Sequence, residues 1–140
     1  MNRKYVDISE LYDLFQERKD CFFICCDIKN LSDINRISYK AGDVAIIEAV
    51  NRMNGSAGEN DVVFRIGGDE FCILTDNADR AYAESIAENI RSKNGESFTC
   101  EEGEFQMSLY AIVVGLKQER IRYNELFAGL HDAIQECKSR

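Results

Sequence analysis

The chain has 140 residues, the length of a single domain, which is enough to bury about two-thirds of its unfolded surface in one core. It is 45% hydrophobic and 30% charged, with 9 Gly and no Pro, so a disordered, collagen-like or low-complexity chain is excluded. Its 25 acidic and 17 basic side chains give a net charge of -8, the wrong sign for following a nucleic-acid backbone or an anionic membrane surface.

Membrane helices, disulfides and zinc are also disfavoured. No segment approaches the roughly 18 consecutive apolar residues of a membrane helix, and Met1 to Asp7 lacks the apolar stretch of a signal peptide. The six cysteines include adjacent Cys25 and Cys26 but no C-x-x-C spacing, and His131 is the only histidine. We therefore expect a soluble cytoplasmic domain with reduced, mostly buried cysteines and no contact with nucleic acid or membrane.

The first third of the chain predicts a helix, a buried strand and a second helix. Apolar residues recur at helical spacing from Ile8 to Phe15, and the apolar run from Cys21 to Cys26 predicts a buried strand ending at Asp27. The next helical pattern follows Gly42 and stops at Asn54-Gly55. Asp27 is thus expected at the carboxyl end of a buried strand.

A hairpin and a third helix follow. Val62 to Ile66 and Phe71 to Leu74 are short apolar runs separated by Gly67 and Gly68, which predicts two strands joined by a tight turn. Glycine suits such a turn because it adopts positive φ readily and lets a ligand approach the backbone closely. The third helix is marked by apolar residues at helical spacing, Ala78, Tyr82, Ile86 and Ile90.

The last part predicts one strand pair and one helix. Phe105 to Val113 alternates strictly and is expected to pair, as one strand, with Ser97 to Cys100 across Glu102-Gly103. Leu126 to Cys137 carries the final helical pattern. This order predicts an α+β fold of ferredoxin-like or palm type, with a mixed, mainly antiparallel sheet, a central hairpin and flanking helices.

Three carboxylates are expected to meet at one edge of this sheet. If the first strand lies beside the hairpin, Asp27 comes close to Asp69 and Glu70, which follow the two glycines. Carboxylate oxygens are the hard ligands that Mg²⁺ prefers. The residues alone therefore indicate a metal site at the turn.

The turn also carries a specific sequence. Gly67-Gly68-Asp69-Glu70-Phe71, preceded by Arg65-Ile66, resembles the signature of the GGDEF domain family, the diguanylate cyclases. By chance this pentapeptide is expected in roughly one chain of this length in 10⁴. The resemblance extends to the order of elements, so residues 1–140 are expected to form a single GGDEF domain excised from a longer signalling protein.

The resemblance implies an activity and its metal ligands. Family members condense two GTP molecules into cyclic di-GMP, release pyrophosphate and act as homodimers, each protomer holding one GTP. Asp27, the carbonyl of Ile28, Asp69 and Glu70 would hold two Mg²⁺ (or Mn²⁺) ions, and an acid of the turn, Asp69 or Glu70, would help remove the hydroxyl proton. A regulatory domain in the parent chain is also expected.

The resemblance further implies a set of substrate-binding residues. Asn35 and Asp43 would recognise guanine, because a carboxylate accepts both the N1–H and the N2 amine of that base, and adenine lacks these donors. Gly67 and Gly68 would face the nucleotide, and Lys138 would contact phosphate. Asp43 is expected at the start of its helix, where the dipole also favours an acid.

Two departures from the family pattern keep other functions open. Lys29 to Ser32 replaces a second Asp, aromatic residues and a phosphate-binding lysine, and Tyr39 to Ala41 replaces a Gly-His pair in a loop one residue shorter. A catalytically degenerate domain that binds GTP or partner proteins is the alternative, and a related palm-type nucleotidyl cyclase or polymerase is a third. A phosphate contact by Arg140 stays open.

Overall fold

A four-stranded sheet lies between two helical layers in the computed structural model, which describes residues 8–18, 20–115 and 122–139. The elements are α1 (Ile8–Glu17), β1 (Phe23–Ile28), α2 (Leu31–Ile37), α3 (Tyr39–Ser56), β2 (Val62–Arg65), β3 (Glu70–Leu74), α4 (Arg80–Ser92), β4 (Ser97–Cys100), β5 (Gly103–Gln106), β6 (Leu109–Val114) and α5 (Tyr123–Lys138). Arg140 and Met1 to Asp7, for which expectations are given above, lie outside the described residues.

The main sheet has the strand order β2-β3-β1-β6, and its three strand pairs are all antiparallel. The α+β fold expected from the sequence is confirmed. Strands β2 and β3 form the predicted hairpin. β3 is a central strand of the sheet, whereas β2 lies at its edge in the described part of the chain. The expected neighbour of the hairpin, β1, pairs with β3, Asp27 being opposite Glu70.

Side-chain alternation divides the core between the two faces of the sheet. On one face Ile24 and Ile73 join a cluster packed under α2, α3 and α4, and on the other Phe23 and Leu74 join a cluster packed under α1 and α5. Because successive strand residues point to opposite faces, Asp27 and Glu70 share the α5 side with Phe23. The fold therefore places α5 over both carboxylates.

Strand β1 differs from its predicted limits. It begins two residues later than expected and continues through Asp27 to Ile28, because its pairing with β6 extends to Ile28 opposite Leu109. Asp27 is fully buried as the penultimate residue of β1, so its expected position at the carboxyl end of a buried strand is confirmed, with the strand ending one residue later than predicted. A polar residue after an apolar run suggests in the sequence that the strand ends there. The hydrogen-bonded pairing of β1 with β6 nevertheless continues one residue beyond Asp27.

The segment after β1 contains a helix that the sequence analysis missed. The sequence analysis predicts no element for residues 31–37, and the structure buries only Ile34 of α2. Ser38 then begins α3, its hydroxyl accepting the Ala41 N–H at 3.3 Å. Asp43 is consequently the fifth residue of α3 and lies beyond the first turn, so the expected dipole role at the helix start is wrong. The helix also continues through Asn54-Gly55 to Ser56.

The single late strand predicted from alternation is two strands in different sheets. β5 pairs with β4, as expected, whereas β6 pairs with β1 in the main sheet. The change of sheet is fixed by Arg52, whose guanidinium donates to the carbonyls of Lys93, Glu96 and Met107 at 3.2, 2.9 and 2.7 Å. Alternation of apolar and polar residues indicates an extended backbone, but it does not show which strand that segment pairs with.

The structure also bears on two expectations drawn from composition, which concern the cysteines and membrane-spanning helices. All six cysteines are unpaired; Cys25, Cys26 and Cys72 are buried, and the other three are half-buried. Cys25 and Cys72 face each other across β1 and β3 with their Sγ atoms 3.3 Å apart. None of the helices in the described ranges has the length and apolar content that a bilayer crossing requires.

Candidate active site

The predicted carboxylates meet at one end of the central strands. Asp27 and Glu70 are cross-strand partners and are 0% and 8% exposed. Asp69 immediately precedes Glu70 in the turn, and its carbonyl accepts the Ile28 N–H at 3.2 Å. We call Asp27, Asp69 and Glu70 the carboxylate cluster. Ile28, expected to offer its carbonyl to a metal, is the last residue of β1 beside this cluster.

Asp27 is the least solvated member of the cluster. Its Oδ2 accepts from Lys138 Nζ at 3.3 Å, whereas its buried Oδ1 has no hydrogen-bond partner. Burial, followed by the negative charge of Asp69, raises the pKa of Asp27 from 3.8 to about 7, although Lys138 acts in the opposite direction. An unpartnered buried carboxylate oxygen is costly and suits a cation.

Helix α5 supplies three polar side chains to the cluster. His131 Nδ1 lies 2.9 Å from Glu70 Oε1, and Gln135 Nε2 donates to Glu70 Oε2 at 3.1 Å. With Lys138 these residues follow the spacing of one helix face, while Leu130 and Ile134 on the adjacent face are buried in the core.

The ionisation of the two basic residues reflects these contacts. The hydrogen bond that His131 makes to the Glu70 carboxylate, together with the negative charge of Glu70, raises the pKa of His131. Partial burial lowers the pKa of Lys138, but the charges of Asp27, Asp69 and Glu70 outweigh it, so the net pKa is raised. Lys138, predicted to contact phosphate, thus lies on a carboxylate in this structure.

His131 and Gln135 contact Glu70 of the carboxylate cluster, and the sequence analysis did not single them out as site residues. A solitary histidine was considered only as a zinc ligand, and zinc was excluded. The available signal was the polar stripe at positions 131, 135 and 138 beside the apolar stripe at 126, 130 and 134. That pattern predicts a helix with a polar face directly beside the apolar face that packs on the core. It does not identify Glu70 as the partner of the polar face.

The turn between β2 and β3 has a different backbone from the one predicted. Gly67 and Gly68 do not adopt positive φ; among the described glycines only Gly95 and Gly103 do. The turn is held by Arg65, whose guanidinium donates to the carbonyls of Gly67 and Gly68. A Cβ on Gly67 would lie 3.3 Å from Glu70 Oε1, and one on Gly68 would meet nothing within 4 Å. Gly67 thus leaves room for Glu70, and Gly68 leaves the turn open to a ligand.

The two residues assigned to guanine lie at the junction of α2 and α3. Asn35 is half-buried on α2, and its side chain occupies the space over Gly42, where a Cβ would overlap Asn35 Oδ1. Asp43 follows Gly42 and is exposed. In the described part of the chain, no hydrogen bond or ion pair joins this junction to the carboxylate cluster. The structure therefore brings Asn35 close to Gly42, the residue that precedes Asp43.

Replacing Gly42 by alanine tests this packing. Alanine normally stabilises a helix interior by up to about 1 kcal/mol relative to glycine, but a Cβ here displaces Asn35, so we expect a loss of about 1 to 3 kcal/mol in the free energy of unfolding. Gly55→Ala in the same helix is the matched control, because its Cβ would meet only Lys93 Nζ at 3.7 Å. Urea unfolding of both variants measures the change in the free energy of unfolding. Equal stabilisation by the two substitutions would contradict the close contact between position 42 and Asn35.

The loop after β1, where the sequence departs from the family pattern, is engaged within the domain. Lys29 Nζ lies 4.9 Å from the centre of the Tyr110 ring, and Asn30 Nδ2 donates to the Gln106 carbonyl at 2.8 Å. Lys29 therefore points toward β6 in this structure.

A metal ion fits the donor chemistry of the cluster. The three carboxylates offer the oxygen ligands that Mg²⁺ prefers, and Asp27 Oδ1 is a buried acceptor without a partner. As the side chains stand, no three His, Cys, Asp or Glu residues within the described ranges are grouped as a ready metal site. Both oxygens of Glu70 contact α5, Oε1 through His131 and Oε2 through Gln135.

Comparison with known proteins gives consistent matches. A family model described as diguanylate cyclase, GGDEF domain, matches residues 1–140. Diguanylate cyclase TpbB from Pseudomonas aeruginosa (strain UCBPP-PA14) is 30% identical over 125 residues, covering 88% of this chain and 28% of TpbB. Probable diguanylate cyclase DgcJ from Escherichia coli (strain K12) is 29% identical over 105 residues, covering 74% of this chain and 21% of DgcJ. The chain thus spans less than a third of the length of either relative.

Two solved structures show the same fold. The isolated GGDEF domain of TpbB from Pseudomonas aeruginosa (PAO1) superimposes with a TM-score of 0.77 at 26% identity, covering 94% of this chain and 78% of that one. The GGDEF domain of DgcB from Caulobacter crescentus, solved in complex with c-di-GMP, gives a TM-score of 0.77 at 13% identity, covering 98% and 87%.

Proposed function

This chain belongs to the GGDEF domain family of diguanylate cyclases, and from that membership we propose that it condenses two GTP molecules into cyclic di-GMP and releases pyrophosphate. The observation that carries the proposal is the cross-strand pairing of Asp27 with Glu70 beside the intact Gly67-to-Phe71 turn. These residues supply the acidic centre that phosphoryl transfer between nucleotides requires.

We propose Asp27, the carbonyl of Ile28, Asp69 and Glu70 as the residues that would hold two Mg²⁺ or Mn²⁺ ions. When bound, such ions neutralise phosphate charge and lower the pKa of the attacking 3′-hydroxyl. The unpartnered, buried Oδ1 of Asp27 supports this assignment, because a cation would satisfy it. Asp69 or Glu70 would accept the hydroxyl proton, being the acids of the turn.

Substrate contacts are proposed for the residues around the cluster. Gly68 borders open space, so a nucleotide can approach the backbone there. Lys138 carries its charge into the same region, and its contact with Asp27 leaves its ammonium with donors to spare for a phosphate. Each protomer is proposed to hold one GTP, so two protomers must meet as a homodimer before both ester bonds can form. The parent chain is proposed to include a regulatory domain.

Asn35 and Asp43 are proposed to select guanine. Asp43 is exposed beside Asn35, whose side chain is confined over Gly42. A carboxylate at this position can accept the N1–H and the N2 amine of guanine together. Adenine presents neither donor to such an acceptor.

Replacing Asp43 by serine tests this selection. The variant loses an ionised acceptor of two hydrogen bonds, worth about 1 to 3 kcal/mol, so the GTP-over-ATP preference is expected to fall roughly 10- to 100-fold. Asp33→Ser on the exposed face of α2 is the matched control and should keep the native preference. Calorimetric dissociation constants for both nucleotides measure the ratio. An unchanged ratio in Asp43→Ser removes Asp43 from guanine recognition.

A catalytically degenerate domain that binds GTP or partner proteins is the second candidate. The occupied carboxylates favour it: His131 and Gln135 contact Glu70, Lys138 contacts Asp27, and Lys29 lies over Tyr110. Under this alternative the domain binds GTP and yields no cyclic di-GMP. Analysis of the product separates the two candidates.

A further inference from the structure

Glu70 is held on both oxygens by one helix. Its Oε1 lies 2.9 Å from His131 Nδ1 and its Oε2 accepts from Gln135 Nε2 at 3.1 Å. The Glu70 side chain is only 11% exposed, so these contacts replace most of its hydration. A glutamate in open solvent would sample several rotamers, whereas this one is fixed by two hydrogen bonds from residues one helical turn apart.

The helix itself is anchored, so the contacts have a rigid base. Leu130 and Ile134, which alternate with the two polar residues along α5, are 0% and 1% exposed in the core cluster beneath the helix. Moving His131 or Gln135 away from Glu70 would require a rotamer change rather than a shift of the helix.

We propose that His131 and Gln135 are positioning residues that hold Glu70 ready to bind the divalent cation of the proposed function. A carboxylate oxygen has two lone pairs, so each oxygen of Glu70 can accept from α5 and still offer a lone pair to a metal ion. Side chains that hydrogen-bond metal ligands orient them, and their loss typically weakens metal binding by about 10- to 100-fold.

The lack of a side chain at Gly67 leaves space beside Glu70 Oε1. Gly67 has no Cβ at the point where one would lie 3.3 Å from Glu70 Oε1, and the cross-strand neighbour Asp27 keeps an unpartnered oxygen. A larger residue at position 67 would crowd the oxygen that His131 contacts. Positioning from α5 and space from Gly67 therefore act on the same carboxylate.

The opposite role would be competition, in which His131 occupies Glu70 and must leave before a cation binds. The two roles predict changes of opposite sign. Under positioning, loss of either side chain weakens cation binding. Under competition, loss of His131 strengthens it.

The experiment titrates the whole chain, without nucleotide, with Mn²⁺ and follows free Mn²⁺ by electron paramagnetic resonance at one fixed pH. We expect His131→Ala and Gln135→Ala each to raise the Mn²⁺ dissociation constant by about 10- to 100-fold. His131→Asn keeps an amide donor where Nδ1 lies and is expected to restore affinity to within about threefold of the native chain. Asn124→Ala, exposed in the first turn of α5, is the control and should change nothing.

The outcomes separate this inference from the function on which it rests. Tighter Mn²⁺ binding by His131→Ala, unchanged binding by both alanine variants, or no Mn²⁺ binding by the native chain overturns the positioning role. Because the titration uses no GTP, an inactive chain that shows the expected affinity changes would refute the cyclase activity and leave the positioning role intact. Melting temperatures of the variants identify any loss of affinity that follows from unfolding.

Discussion

Replacing Glu70 by glutamine is expected to abolish cyclic di-GMP formation while the domain stays folded. The amide keeps the size of the side chain and can still accept from α5, but it loses the charge that a divalent cation requires. Metal assistance is worth several kcal/mol in phosphoryl transfer, so the rate should fall about 10³-fold or more.

Product formation by mass spectrometry and urea unfolding measure the two effects separately. Glu104→Gln, an exposed carboxylate on β5, is the matched control and should retain full activity. Full activity in Glu70→Gln would remove Glu70 from the metal site. A loss of activity accompanied by unfolding would leave only a structural role for the residue.

Replacing Asp27 by asparagine is expected to stabilise the metal-free domain at neutral and higher pH. The pKa of Asp27 is raised from 3.8 to about 7, chiefly by burial and next by Asp69, so the folded state binds a proton more tightly than the unfolded state. As pH rises from about 4 to about 7, ionisation of Asp27 therefore costs the native domain stability, and above this range the cost is constant. Asparagine carries no such penalty.

The expected gain in stability follows from the rise in the pKa of Asp27 on folding. At about 1.4 kcal/mol per pKa unit, the rise from 3.8 to about 7 gives Asp27→Asn an advantage of about 4 kcal/mol above pH 7 that vanishes near pH 4. Urea unfolding in EDTA across this range measures it, with exposed Asp132→Asn as a control expected to stay within about 0.5 kcal/mol of the native domain. A difference that does not depend on pH, or a less stable Asp27→Asn at high pH, contradicts the account of a desolvated carboxylate.

The association of Asp27 with the turn was predictable from the sequence, and its ionisation was not. The apolar run before Asp27 and the short runs around Gly67 and Gly68 predict three strands, and the proximity of the acids followed if the first strand lay beside the hairpin. The antiparallel ladder meets this condition and places Asp27 opposite Glu70. The register that buries Asp27 completely comes from a second partner strand, β6. Alternation in Phe105 to Val113 gave no sign of that pairing, because the strand changes sheet within it.

Local signals were least informative where tertiary contacts decide the conformation. α2 has one buried residue, so its sequence resembles a polar turn. Gly67 and Gly68 suggested positive φ, but Arg65 binds their carbonyls and holds the turn without it. His131 had no recognisable motif, since its partner Glu70 is 61 positions away in the chain. These features depend on which elements pack together.

Analysis of the reaction products decides whether this domain makes cyclic di-GMP, as proposed. Purified chain at high concentration is incubated with GTP and Mg²⁺, with ATP in parallel, and the products are identified by mass spectrometry. The account predicts cyclic di-GMP and pyrophosphate from GTP alone, at a rate that rises faster than the first power of protein concentration, because each protomer supplies half of the reaction. Bound GTP that is recovered unchanged at every protein concentration would contradict it.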